Sequence, residues 1–241
     1  MTRKKSARVP PVTADRLLRG WSGPGGTRIR LAAPGDSTGV AELLLLADGM
    51  GLDPAVEQGI NAGTVASTLL TGMRQGTSEM LRPIAEAAAA GRPDEAMSGL
   101  VMVLVAEGND GRLQGVLQAV PPGNVLSEAH AAGVPLPLAL VAATKTAKIQ
   151  GLAVAEHARG QGLGETLLRR AVRTYFQLGW LLAYGQFSAG SGLEDYYTRQ
   201  GFTVLPAGEG IDLDRISVPV VIRHGPEERL FTRWRPAGTP A

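Results

Sequence analysis

Leu152-Ala-Val154-Ala-Glu156-His157-Ala-Arg159-Gly160-Gln161-Gly162-Leu163-Gly164-Glu165-Thr-Leu-Leu168 joins an apolar strand to a helix through a turn carrying three glycines. The helix shows in its periodicity: Leu163, Leu167, Leu168, Ala171, Val172 and Tyr175 recur on one face, and Arg169, Arg170 and Arg173 take the other. Gly179 stops it. At a helix start the first backbone N–H groups lack partners and the dipole is positive, so an anion is welcome there. Glycines remove the Cβ atoms that would hold an anion away, and Arg159 adds a fixed positive charge.

Three phosphate-binding patterns compete for this turn. A P-loop needs Gly-Lys-Ser/Thr at its end, and here Gly164 is followed by Glu165 and Thr166. A dinucleotide turn needs G-x-G-x-x-G, and from Gly160 and Gly162 the third place is Glu165. The spacing Arg-x-x-Gly-x-Gly, filled by Arg159, Gly162 and Gly164, does fit. Chance alone would give that spacing about 0.3 times in a chain of this composition, so the strand before it and the helix after it carry the weight.

Outward from the turn, Ala147 to Val154 reads as its leading strand and Pro121 to Pro137 as an irregular connection. Leu100 to Ala106 and Leu113 to Val120 are strands joined by Gly108-Asn-Asp-Gly111, a hairpin signal. Helical stretches are expected near Thr64–Met73 and Met80–Ala90. Ile29-Arg-Leu is a strand, and Pro34-Gly-Asp36 a turn with Asp36 or Ser37 placed to cap a helix over Val40 to Leu46. On the other side come a strand over Trp180–Phe187, a short helix over Leu193–Gln200 closed by Gly201, and a strand starting at Phe202. Val218–Arg223 and Arg229–Trp234 read as a final hairpin around His224-Gly-Pro226. The class is mixed α/β with a central, partly antiparallel sheet. Residues 1–26 read as a flexible basic tail and 27–241 as one domain.

Composition narrows the function. With 241 residues, 44% hydrophobic and 19% charged, the chain can bury a full core. No apolar run reaches the roughly 18 residues of a membrane helix, and no secretory leader pattern is read, so the expectation is a cytoplasmic protein without a membrane partner. The absence of cysteine removes disulfides, thiolate ligands and a cysteine nucleophile. Arg3, Lys4, Lys5 and Arg8 make the first eight residues basic, while the remainder holds 20 basic and 22 acidic residues. A slightly acidic body argues against a nucleic-acid partner. Three scattered histidines, His130, His157 and His224, show no paired spacing, so no metal is expected.

The turn resembles, almost position for position, the cofactor motif of the GNAT superfamily of acyl-CoA-dependent N-acyltransferases. A second block, Tyr196-Tyr197-Thr-Arg-Gln-Gly201-Phe202, is similar to the family's Phe-Tyr-x-x-x-Gly-Phe segment. Ile29-Arg-Leu-Ala-Ala-Pro34-Gly-Asp36 resembles its opening strand and first helix. The resemblance implies a GNAT fold, with a mixed central sheet splayed at the cofactor cleft and flanked by helices. It implies acetyl-CoA as acyl donor, its pantetheine arm on the backbone of Leu152 and Val154. The pyrophosphate would lie on the N–H groups of Arg159, Gly160, Gln161, Gly162, Leu163, Gly164 and Glu165. It further implies direct attack by a primary amine, a backbone N–H near Val154 for the oxyanion, and Tyr197 as the acid that protonates the leaving thiolate. From tyrosine to thiolate that proton moves uphill by roughly 1.5 pKa units, or about 2 kcal/mol, which a positioned hydrogen bond can offset.

Some positions depart from the family pattern. Gly190 and Leu193 stand where many members carry Asn and Ala. The strand before the turn offers Lys148 and Gln150 where a glutamate base is common, and Glu156 and His157 are expected to face solvent. The base is therefore left open, to a water chain or the acceptor region. Glu194-Asp195 can attract a cationic amine or serve a helix start. The acceptor, a small molecule or a peptide amine, is expected in a pocket built by Gly49–Gly99 and Pro206–Ser217. The missing base keeps a second reading alive, a non-catalytic CoA-binding regulatory protein on the same fold. A homodimer is compatible with the sequence, which does not show one.

Overall fold

The apolar run after Leu100 becomes a strand buried on both faces, and the sheet is laid out around it. The computed structural model describes residues 10–47, 49–90, 97–123 and 133–237. Its helices are α1 (Ala14–Arg19), α2 (Ser37–Leu44), α3 (Pro54–Asn61), α4 (Ser67–Gln75), α5 (Thr77–Ala89), α6 (Leu136–Lys145), α7 (Leu163–Gln177) and α8 (Glu194–Arg199). Its strands are β1 (Trp21–Ser22), β2 (Arg28–Leu31), β3 (Met102–Glu107), β4 (Leu113–Val120), β5 (Thr146–Val154) and β6 (Leu182–Ser188). They continue with β7 (Thr203–Val204), β8 (Ile211–Asp212), β9 (Val221–Ile222) and β10 (Glu228–Trp234).

Among the described residues, eight strands form one sheet in the order β1-β2-β3-β4-β5-β6-β10-β7, and β8 pairs with β9 separately. Neighbours are antiparallel except β5 and β6, which are parallel. This is the mixed, helix-flanked α/β sheet expected from the sequence. On β3, Met102, Leu104 and Ala106 join one core, with α4, α5 and α7. Val103 and Val105 join another on the opposite face, under α2 and α3. A third apolar cluster, built by α6, β8 and β9 on Leu182, Tyr184 and Leu230, covers the far end of that second face.

The parallel pair is short. β5 and β6 are in register only from Thr146↔Leu182 to Ile149↔Gly185. On the other side of β5, Gln118 faces Gly151 and Ala119 faces Ile149, so Gln150 is an extra residue in the ladder. Such a bulge bends its strand and increases the local twist. Beyond it β5 follows β4 while β6 follows β10, and the two parallel strands part.

Several expectations need correction. Residues 10–26 are not a flexible lead-in. Thr13 Oγ1 accepts from Arg16 N (3.3 Å) to cap α1, and Leu17 is fully buried in the main core. Val12 exchanges hydrogen bonds with the Gln177 side chain (2.8 and 2.7 Å), and the Arg170 guanidinium lies 4.5 Å above the Trp21 ring. One buried leucine in six residues gives no periodic signal, so the flanking Pro and Gly dominate the local pattern. Arg3, Lys4, Lys5, Arg8 and His130 lie outside the described residues.

Asp36 holds the N-cap position of α2 as expected, but its carboxylate makes no cap bond: it accepts from Ala33 N (2.7 Å) and pairs with Arg30. Helix α3 has no counterpart among the sequence expectations, although Asp53 accepts from Ala55 N (2.7 Å) and Pro54 opens the first turn. Helix α6 is hidden in the sequence by prolines that stand at its start, where a missing N–H costs nothing. The final hairpin does not form: β9 pairs with β8, and β10 lies between β6 and β7. Among the described residues no helix is long and apolar enough to cross a membrane.

Replacing Leu17 by alanine should cost about 2–5 kcal/mol and lower the Tm by roughly 5–15 °C in a thermal unfolding scan. A Tm unchanged within a degree would mean that α1 contributes nothing to the core.

Candidate active site

The parting of β5 and β6 opens a gap through the sheet. Ala155 N donates to Gln114 O (2.9 Å), so by the alternation of an antiparallel ladder Ala153 faces β4, and Leu152 and Val154 turn their N–H and C=O toward the gap. Arg159 Nε donates to Val154 O (3.1 Å), which anchors the guanidinium at the rim. The Val154 carbonyl keeps a second lone pair.

At the end of β5 the chain makes a 3-10 turn, Glu156–Ala158, and enters α7 through Gly160 (φ 75°) and Gly162 (φ 81°). These left-handed angles are why glycine is required at both places. Thr166 N donates to Gly162 O (3.0 Å), so the N–H groups of Leu163, Gly164 and Glu165 have no acceptor within the helix. Glu156 and His157 are exposed, as expected.

Two cavities meet in the gap. On the α7 side a groove of about 500 Å³ runs along the glycine turn to α8, and on the α2 side lies a cavity of about 590 Å³. Leu152, Val154, Arg159, Leu193 and Tyr197 line both and mark the passage. Gly160, Gly162, Leu163, Gly164 and Glu165 line the groove as well. Gln161 does not: its side chain turns onto Gly25, which has no Cβ to obstruct it. The groove thus offers N–H donors and a helix dipole together with the cations Arg159 and Arg199, a setting that suits phosphate.

Tyr197 is 7% exposed and held by rings on several sides. Its ring stacks on Phe231 at 3.7 Å between centroids and 12° between planes, and on Phe187 at 5.5 Å. Phe231 can lie so close because Gly185 is opposite it; a Cβ there would press on that ring and come within 2.7 Å of Ile149 O. The residue that ends the parallel pairing therefore also seats the stack that aims Tyr197.

Tyr196, to which the sequence alone assigns no role of its own, presents a functional group too. Its hydroxyl is buried without a partner, and a Cβ on Gly164 would be 3.1 Å from it. Burial, with a lesser push from Glu165, raises its pKa to about 12, so at neutral pH it stays a donor at the head of α7. Glu194 is engaged by Arg229 (3.4 Å).

The second face holds groups the sequence did not bring together. Lys148 on β5, Gln186 on β6 and Glu228 on β10 line the 590 Å³ cavity. Lys148 and Gln150 also line a third cavity of about 510 Å³, which His224 closes. The expected acceptor segments divide here. Asp53, Val56 and Val65, from Gly49–Gly99, line this third cavity, but Pro206–Ser217 lines none of the three, because it packs on α6 instead. His224 and Glu228 are illegible in the sequence because their places depend on the register of β10, which no local pattern sets.

The family model of the acetyltransferase (GNAT) family matches residues 76–202, just over half of the chain. No curated protein sequence matches. Among solved structures, the chain resembles an acetyltransferase of the GNAT family from Listeria monocytogenes 4b F2365 (15% identity, TM-score 0.47, covering 88% of this chain and 98% of that one). It also resembles PaiA N-acetyltransferase from Thermoplasma acidophilum in complex with coenzyme A (12% identity, TM-score 0.45, 87% and 99%). A third is a GNAT family acetyltransferase from Elizabethkingia anophelis with acetyl-CoA bound (15% identity, TM-score 0.40, 80% and 89%). On the matched segment, which spans the glycine turn, α7 and both tyrosines, the chain belongs to the acetyltransferase (GNAT) family.

Proposed function

We propose that the chain transfers an acetyl group from acetyl-CoA to a primary amine by direct attack. The observation that carries this reading is the gap itself: it joins a phosphate-suited groove on one face to a cavity on the other, with Tyr197 on its wall. The donor supplies the thioester. The residues of the chain do the rest. Leu163, Gly164 and Glu165 N–H, with Arg159, hold the pyrophosphate, and Tyr196 Oη is a further donor beside them. Leu152 and Val154 offer backbone groups to an extended amide-bearing arm in the gap. A preorganised N–H at the developing oxyanion is worth about 2.7–4 kcal/mol in other enzymes. Tyr197, fixed by its ring stack, gives its proton to the leaving sulfur. A cytoplasmic setting and a peptide or small-molecule acceptor belong to the same proposal.

Isothermal titration should show selective binding of acetyl-CoA over NAD and ATP. Binding should weaken at least tenfold when Gly162 or Gly164 becomes valine, because the first is held at a φ of 81° and the second meets Tyr196 Oη. No binding by the native chain would remove the transferase reading. Tyr197→Phe should lower kcat by about 10²-fold with acetyl-CoA affinity unchanged. Full activity in that variant would move the acid elsewhere, and binding without any turnover in the native chain would favour the regulator.

A further inference from the structure

The second face of the sheet carries two apolar clusters with a polar channel between them. One cluster lies under α2 and α3 and the other under α6, β8 and β9. Between them Lys148 stands on β5, Gln186 on β6, Glu228 on β10, and His224 on the turn that precedes β10. The channel adjoins the gap, since Lys148 and Gln150 line both the 510 Å³ cavity and the 590 Å³ cavity that opens into it.

Of these groups His224 carries the one buried basic nitrogen without a hydrogen-bond partner. Both oxygens of Glu228 are engaged, Oε1 by Gln186 Nε2 (3.1 Å) and Oε2 by Gly225 N (2.9 Å). Glu228 Oε2 also lies 3.7 Å from His224 Nδ1, which turns that ring nitrogen toward a carboxylate. A proton carried on Nδ1 leaves Nε2 as the acceptor. His224 Nε2 is buried and has no partner, in a side chain that is 15% exposed and lines the 510 Å³ cavity. Buried polar nitrogens are ordinarily paired, and an unpaired one calls for a reason, a catalytic role among them. The rest of the cavity wall is largely apolar, from Val56, Val65, Met97, Val101 and Val120, and Asp53 adds a carboxylate to the same lining.

We propose that His224 is the base that takes the proton from the acceptor amine, that Glu228 is the positioning residue for its ring, and that the acceptor's body occupies the cavity beside α3. This rests on the transferase reading above. In the step it serves, the amine nitrogen forms a bond to the thioester carbon and the carbonyl π pair moves to oxygen. One N–H proton passes to His224 Nε2. When the oxygen pair returns, the C–S bond breaks and the sulfur takes the Tyr197 proton. Proton exchange with solvent then restores imidazole and phenol, so the sum is amine plus thioester to amide plus thiol.

The charges around the ring give the assignment a signature. Burial, and then the positive charge of Lys148, hold the His224 pKa below 6.5, while Glu228 opposes them. The ring is therefore neutral and able to accept at neutral pH, and is lost as a base on acidification through its own pKa. Removing Lys148 should raise that pKa, and removing the Glu228 charge should lower it further.

Imidazole signals of the whole chain, titrated by NMR and assigned through the signal missing in His224→Gln, test this without turnover. His224 should titrate below 6.5, shifting upward in Lys148→Gln and downward in Glu228→Gln. Thiol release from acetyl-CoA, free of background in a chain without cysteine, is then followed with hexylamine, phenethylamine, spermidine, a short peptide amide or water, whichever reacts fastest. His224→Gln should slow release by about 10²-fold or more and abolish the acidic limb of the kcat/KM profile, with acetyl-CoA affinity unchanged by calorimetry. The limb should move with Lys148→Gln and Glu228→Gln as the NMR pKa does. A His224 pKa unmoved by both Lys148→Gln and Glu228→Gln, an acidic limb that survives in His224→Gln, or bound acetyl-CoA with no thiol release for any acceptor would each overturn the proposal. Absence of acetyl-CoA binding in the native chain would overturn the transferase reading and this proposal with it.

Discussion

Gly185 lacks a side chain, and the ring of Phe231 occupies the place where one would begin. That contact joins four strands, because Gly185 is also the last residue of β6 in register with β5, and Phe231 of β10 pairs with both Gly185 and Val204 of β7. A larger residue would push β10 from β6 or β6 from Ile149, and either movement would change where the gap opens. The same ring is the platform for Tyr197 at 3.7 Å. Sheet geometry and the aim of a phenol hydroxyl are thus set by one close approach, supported by the bulge at Gln150 that turns β5 toward β4.

The two faces of the gap differ in electrostatic character. On the α7 side orphan N–H groups, the positive end of a 15-residue helix and two arginines favour negative charge, with Glu165 the one acid in the lining. On the α2 side the ionisable groups are of mixed sign and lie in a channel between apolar clusters, where burial lowers the pKa of both Lys148 and His224. Under the proposed transfer, an anionic donor and an amine acceptor would approach from opposite faces, each face carrying the chemistry its occupant needs.

What the sequence makes legible depends on how local each signal is. The glycine turn and α7 are written in one unbroken stretch, as a required φ at Gly160 and Gly162 ahead of an apolar stripe, and the expected helix agrees with the observed one to within a residue or two. β3 and β4 are legible because a hairpin signal joins them. The parallel register of β5 with β6, and hence the point of parting, has no local trace; the family resemblance implies only a sheet splayed at the cleft. β10 reads as a hairpin partner of β9 because its true pairing with β6 is decided by Phe231 fitting Gly185, a contact between residues far apart in the chain. His224 and Glu228 are hidden for the same reason. Residues 10–22 look like a loose lead-in because their stability comes from the flank of α7, not from any pattern of their own.

That flank has a meaning of its own. Residues 10–22 strap the outer side of α7: the Gln177 side chain holds Val12, Arg173 donates to Pro10 O, and Arg170 lies on Trp21. A helix gripped along its back cannot recoil when an anion arrives at its head. Its dipoles stand ready before any ligand comes, and the disorder such an array would otherwise lose on binding has already been surrendered in folding. The strap acts on the groove without touching it, as a stiffener whose removal would be felt first in the tightness of anion capture.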